Sequence, residues 1–474
     1  MFTENKSLIR RPSLPQTFLS KGPEIFVWGV WLAMLLIALA CVYRYGRNIP
    51  LAEDWLMVAP LTGNEPDLAG WLWKQNAEHR IPLPKIIYLF LLKITYGDFR
   101  AGMVFNVLSV GFLSAAFILV FKYKRGKTIY ADAFFPIVFL HLGHWANLFW
   151  SWQIGFVLPT LFTCILFAIV LSYTGLLQIR VAIIAGVCIV CLPLCGANGL
   201  MFQFMVLPLL AYETFLHFRS REPGASRKVG TLLLGAIVLS LLIVIAYFIR
   251  YEHPHWNPPS PSIEATFLTT AKFLSYSFGP SSANRWNLSI ITILILIAGT
   301  SALLFKNVIK SRGIEFRRAF AILFLMGGCM VFALVMGWAR AAWIPRFGLP
   351  MRYVILAVPI SLVCFGTWEI YGYPLLRRGM QWTLFIIMFL LMVPNSKEGF
   401  VFRNWYVTDY NKLMKDINEG IPHTQLAERN QMFLLHWDKK NLIIGMQQLK
   451  EAGMGPLKNM KDDPIKTDTF YRAK

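Results

Sequence analysis

The feature that most constrains this chain is its succession of apolar runs. Each approaches the roughly 20 residues that a helix needs to cross a bilayer. The first is Ile25–Val42, and the last, Trp382–Val393, lies some eighty residues before the end of the 474-residue sequence. Composition agrees: 56% of the residues are hydrophobic and only 15% charged, against roughly 25% charged in ordinary soluble domains. Lys and Arg number 46 against 25 Asp and Glu, a formal net charge of +21. These numbers exclude a soluble enzyme, a disordered chain and a disulfide scaffold. A basic soluble protein suggests nucleic acid, but the apolar excess here asks for lipid as solvent, so no nucleic-acid partner is expected. The expected fold class is all-α, a polytopic transmembrane helical bundle with a small α-rich external C-terminal domain.

Sidedness follows from where Lys and Arg fall. Lys6, Arg10, Arg11 and Lys21 precede the first run, and no small-residue cleavage site follows it. This predicts an uncleaved anchor with a cytoplasmic N-terminal segment, residues 1–24. Two apolar stretches come next, Ile81–Tyr96 and Ala101–Tyr123. If both spanned, the basic loop Lys122–Lys127 would face outward, against the bias. Residues 44–100 therefore read as one long external loop. Its later part is an amphipathic helix along the membrane, short and interrupted by Lys85 and Lys93. Further runs at 130–145, 154–174, 181–197, 200–217, 231–249, 288–305, one ending near Trp338, 353–371 and 382–393 give about eleven spans, with the N-terminus inside and the C-terminus outside. The transmembrane domain covers 25–394 and the external tail domain 395–474. In the tail Leu413, Met414 and Ile417, then Leu442, Ile443, Met446 and Leu449, recur at helical spacing.

The seven cysteines all sit in apolar runs, which argues against a disulfide framework. Cys191 and Cys195 are one helical turn apart, but no second ligand pair follows, and small apolar residues in a packed helix are the simpler reading.

Charged residues on the expected outer face are the informative ones. The first loop places Glu53, Asp54, Glu65, Asp67, Glu78, His79 and Arg80 near a membrane surface, among Trp55, Trp71 and Trp73. A carboxylate beside lipid has its pKa raised by partial desolvation, and a nearby Arg restores its ionised form; this is the making of a general base. Glu53 and Asp54 alone read equally as the cap of a surface helix. The NAEHR run, immediately before Pro82 and Pro84, adds an acid, an imidazole and a guanidinium in succession.

A second external loop, GWARAAWIPRFGLPMR, spaces Arg340, Arg346 and Arg352 six residues apart on the wrong side for positive-inside sorting. Arginine grips phosphate through parallel hydrogen bonds and keeps its charge, so an anionic ligand such as a lipid phosphate is expected; snorkelling to headgroups is the alternative. In HWANLFWSWQ, Gln153 is a buried-looking amide in an aromatic turn. In GANGLMFQ, Asn198 either caps a helix or touches a ligand. His253 and His255 on a Pro-rich loop read as loop residues rather than metal ligands.

This layout resembles the GT-C superfamily, polytopic glycosyltransferases that use polyprenyl-phosphate-linked sugars and carry an acidic motif in the first long external loop. Here that motif is Glu53–Asp54. NAEHRIPLPK, FWSWQIGF, GANGLMF, the Arg340, Arg346 and MRY series and LKEAGMGPL look like uncharacterised bacterial GT-C-like proteins. The resemblance implies a cell-envelope polysaccharide enzyme of the bacterial inner membrane. It would transfer a sugar from a polyprenyl-phosphate donor to a glycan, lipid or protein acceptor on the external face. It makes Asp54 the general base with Glu53 the alternate, and Arg340 and Arg352, with Arg80, the ligands of the departing phosphate. Glu78 and His79 would position a substrate, and Gln153 would bind a sugar hydroxyl. Some members use a divalent cation (Mg or Mn) near the acidic motif, and metal use is left open. No GxGxxG follows a strand, which argues against a soluble nucleotide-sugar donor. Two competing readings are a transporter or flippase of lipid-linked saccharides, which prefers charges in mid-span, and an O-antigen-type polymerase with a large Arg-bearing external loop.

Overall fold

A computed structural model describes residues 16–220, 223–254 and 258–463. It is 82% helical, with no strand among the described residues. Fourteen helices longer than two turns are numbered here: α1 (Gln16–Tyr45), α2 (Pro82–Ile94), α3 (Arg100–Arg125), α4 (Ile154–Ser172), α5 (Ile179–Cys191), α6 (Ala197–Phe218), α7 (Pro223–Phe248), α8 (Ile263–Ser275), α9 (Trp286–Lys310), α10 (Gly313–Arg340), α11 (Val354–Tyr371), α12 (Pro374–Asn418), α13 (His423–Leu434) and α14 (Lys439–Glu451). Among the described residues nine are long and apolar enough to cross a membrane, namely α1, α3, α4, α6, α7 and α9 to α12. They carry exposed apolar side chains such as Leu242, Ile245 and Ile295, a surface suited to lipid. The chain is a multi-pass membrane protein.

The centre of the bundle is α11, buried at every residue from Val354 to Thr367. Its Phe365 joins a stack of rings from α3 and the segment after it, lying 4.8 Å from Phe135 and 5.2 Å from Phe134. Small residues let helices close up. A Cβ at Gly337 of α10 would collide with Thr270 of α8, and one at Gly328 with Met205 of α6.

Two of the expected spans take another form. The run 130–145 is buried in the bundle but broken into Phe134–Leu140 and single turns on either side. Its freed backbone groups are met by protein: the His141 ring accepts the Gly143 N–H at 3.1 Å, and the His144 ring pairs with the Val138 carbonyl at 2.9 Å. Irregular backbone of this kind is tolerated at membrane depth only when enclosed. The run 181–197 ends as a helix at Cys191, because Pro193 supplies no N–H to continue it. Cys195 Sγ is spent on the Cys191 carbonyl at 3.3 Å.

The stretch 44–100 is a folded loop. It contains a 3-10 turn Ala52–Met57, helices Val58–Thr62 and Leu68–Trp73, and α2. At about 20 Å, α2 is too short to span. It buries Lys85, Tyr88 and Leu92 and exposes Ile86, Phe90 and Ile94. Lys85 caps the end of the Leu68–Trp73 helix, donating to the Trp71 carbonyl at 2.7 Å and the Lys74 carbonyl at 3.1 Å. Burial lowers its pKa to about 8.

The last apolar run does not end at residue 393. It continues as α12 through Pro394 to Asn418, so the 394/395 boundary read from composition falls inside one helix. Leu413 and Ile417 of α12 and Leu442, Met446 and Leu449 of α14 are buried in a second core shared with the first loop. Trp55 packs on Gly445 of α14 and meets the His436 ring edge-on at 6.1 Å. The tail thereby holds the loop in place.

Candidate functional site

The first loop, the 76–80 turn, the 150–156 segment and the 340–353 loop meet around a cavity of about 360 Å³. Glu53, Glu78, His79, Gln153, Arg340 and Arg352 all line it, with aromatic walls from Trp152, Phe156, Trp343 and Tyr353. Residues up to 300 positions apart in sequence are thus brought to one wall.

Both carboxylates that face the cavity follow a strained residue. Ala52 and Ala77 each have φ 49, a left-handed conformation that costs a residue with a Cβ on the order of 1 kcal/mol. At the second position, paired Asn76–His79 backbone bonds of 2.8 Å close the turn. The Tyr247 hydroxyl of α7 donates to the Glu78 carbonyl at 2.9 Å and accepts the Arg80 N–H at 3.3 Å. The turn projects Glu78 and His79 inward. Arg80 goes elsewhere: its guanidinium donates to the Trp73, Ile249 and Arg250 carbonyls. It ties the first loop to the end of α7 and does not line the cavity.

Glu78 is ion-paired with Arg340. Burial acts to raise the Glu78 carboxyl, but His79 and Arg340 oppose it and hold its pKa at about 2. Arg340 is the permanent cation of the two, because burial lowers the His79 pKa. The His79 Nδ1 accepts the Ala197 N–H at 3.2 Å, which leaves Nε2 as the N–H donor of the neutral ring, 3.7 Å from Glu78 Oε1.

Glu53 and Asp54 part company. Glu53 lines the cavity, and its Oε2 is buried without a hydrogen-bond partner among the described residues. Burial raises its pKa, opposed by Arg352 and reinforced by Glu78. Asp54 is 1% exposed and faces the second core beside Tyr88 and Tyr406. There it accepts the Leu51 N–H at 3.2 Å. Burial pushes its pKa up to about 8, which keeps the carboxyl protonated at neutral pH. Asp54 fixes the turn, and Glu53 is the member of the pair presented to the cavity.

Arg352 makes no ion pair within 4 Å among the described residues, although Glu53 feels its charge. It stands over the Tyr353 ring at 5.5 Å. Gln153 is 1% exposed, and its Oε1 is buried and unpartnered among the described residues. Asn198 is buried in the first turn of α6, behind the His79 contact rather than on the cavity wall. The Arg346 side chain lies outside the described residues, as does His255. Asn147 was not singled out in the sequence, yet its Nδ2 donates to the Arg352 carbonyl at 2.9 Å. Nothing in the local pattern HWANLF marks it, because its partner is two hundred residues away.

Among the described residues no group of three or more His, Cys, Asp and Glu could hold a metal. Glu78 is committed to Arg340 and Asp54 turns away, so the donor set at the cavity does not fit a protein-held divalent cation. What the site offers is one desolvated carboxylate, the Arg352 guanidinium, a second guanidinium paired with Glu78, and an amide oxygen awaiting a donor. In comparisons with known proteins, no family model, no curated protein and no solved structure matches this chain.

Proposed function

We infer that this chain is a membrane glycosyltransferase that moves a sugar from a polyprenyl-phosphate donor to a cell-envelope acceptor, a glycan, lipid or protein. The carrying observation is that Glu53, whose Oε2 is buried and without a hydrogen-bond partner among the described residues, shares a cavity with Arg352 and with the unpartnered amide oxygen of Gln153. A carboxylate whose pKa is raised by burial is a stronger base than one in water. In this reading Glu53 removes the proton from the acceptor hydroxyl. The acceptor oxygen then bonds to the anomeric carbon as the carbon–oxygen bond to phosphate breaks. The departing phosphate takes up the electron pair, and Arg352 stabilises its charge, with the nearby Arg340 guanidinium adding positive potential to the cavity. Gln153 accepts a sugar hydroxyl, and the aromatic walls flank the ring. The reading places the cavity on the external side of a bacterial inner membrane, with the N-terminus cytoplasmic and the C-terminus external.

The test is transfer from a polyprenyl-phosphate sugar by purified Glu53→Gln and Arg352→Ala, each checked for normal membrane insertion. Loss of transfer in both supports the reading. Full transfer by both removes the proposed base and phosphate ligand together.

A further inference from the structure

We propose that the opposite end of the bundle holds a second, independent site for a phosphate-bearing anion. Three helices connect the two ends. α3 runs from Gly102, packed on Ser151, to Arg125; α10 runs back from Arg340 to Arg318; α11 runs from its first turn beside Tyr353 to Glu369. At 1.5 Å per residue they separate the ends by roughly 25–35 Å. At the far end a cavity of about 1090 Å³ is lined by seven basic and two acidic side chains.

Several of those basic groups are already paired. Arg125 donates to both Asp132 oxygens at 2.6 Å, and Lys122 meets Glu24 at 2.5 Å. Lys124, Lys127 and Arg378 also line the cavity and form no ion pair within 4 Å among the described residues. Thr128, next to Lys127 and also on the cavity lining, is 6% exposed, and its hydroxyl has no hydrogen-bond partner among the described residues. An unmet buried hydroxyl costs free energy that an acceptor oxygen would restore. Among the described residues Arg125 Nη1 likewise has no hydrogen-bond partner and meets the more distant Glu369 at 3.5 Å. Charges that merely orient a membrane protein need to lie near the bilayer surface; they need not converge on one concave space around a buried donor. Convergence of this kind suits a ligand with several acceptor oxygens and at least two negative charges. A phospholipid headgroup and a soluble polyphosphate share that chemistry.

The experiment uses the full chain in phosphatidylcholine nanodiscs, with and without phosphatidic acid, and titrated with inorganic pyrophosphate. Native mass spectrometry reads retained phosphatidic acid, and calorimetry reads pyrophosphate. The cavity variant is Lys124→Gln/Lys127→Gln/Arg378→Gln. The control, Lys228→Gln/Lys310→Gln/Arg312→Gln, removes equal charge from exposed positions elsewhere. The expected result is binding of at least one probe by wild type and control, weakened by about tenfold or more in the cavity variant. Phosphatidic acid alone identifies a lipid headgroup, and pyrophosphate alone a soluble ligand. If the triple variant does not fold, Thr128→Val keeps every charge and must weaken the same binding. Failure of both probes to bind, an equal loss in the control, or full retention in Thr128→Val overturns the proposal. None of these outcomes bears on the transfer reaction.

Discussion

The Asn147 side-chain amide donates to the backbone carbonyl of Arg352 at 2.9 Å, while the Asn147 carbonyl accepts from Asn106 of α3 at 3.0 Å. The backbone that carries the Arg352 guanidinium is thereby tied to the segment that carries Gln153. Removing the bond with Asn147→Ala is expected to cost about 1 kcal/mol of stability. If Arg352 binds the donor phosphate, KM for the donor rises more than kcat falls. A steady-state comparison of wild type and variant over donor concentration measures the split.

Glu53→Gln and Asp54→Asn should behave differently although the residues are adjacent. Glu53→Gln is expected to lower kcat by a factor of about 10² to 10⁴, the usual worth of a general base. Asp54→Asn replaces a carboxyl that is already protonated at neutral pH, so transfer at pH 7 should remain close to wild type. Equal loss in the two variants would remove the assignment of Glu53 over Asp54.

Asp54 also predicts a pH dependence of stability. Its folded pKa of about 8 lies above the unfolded value near 3.9. The folded state therefore holds a proton that the unfolded chain has lost. Stability from this group is complete below pH 4 and declines as pH rises to about 8. Thermal unfolding of wild type should weaken over that range, and Asp54→Asn should lose this share of the slope.

Glu78 works in the other direction. Its pKa is held at about 2, so the stability it contributes is present above an unfolded value near 4.3. It is lost as pH falls toward 2. Arg340→Gln leaves a buried carboxylate without its cation and should destabilise by about 3 kcal/mol or more. The double variant Glu78→Gln/Arg340→Gln should recover part of that loss. Unfolding midpoints of the two single variants and the double variant give the coupling directly.

Sidedness has its own check. Asn64→Cys lies on an exposed part of the first loop and Lys127→Cys at the other end of the bundle. An impermeant thiol reagent applied to intact cells should label the first and reach the second only after permeabilisation. The reverse pattern would invert the topology.

The sequence by itself determined the solvent and most of the helices, because a continuous apolar run long enough to cross lipid has few other ways to satisfy its backbone. It also marked Ile81–Tyr96 as too short to cross, in keeping with the 13-residue helix there, since length and two lysines are local properties. The spacing of Leu413, Ile417, Leu442 and Met446 likewise marked the buried faces of the tail. The run 130–145 looked like a span because hydropathy does not register where a helix breaks, only that the segment is buried. Most residues of the site stood out as charges in the segments between apolar runs, yet their roles were not visible. Arg80 and Arg340 look alike in sequence, and tertiary contacts alone send one to three backbone carbonyls and the other to Glu78. Asp54 and Glu53 are neighbours, but successive residues of a tight turn point in different directions. The fold decided which one meets the cavity and which one is buried beneath it.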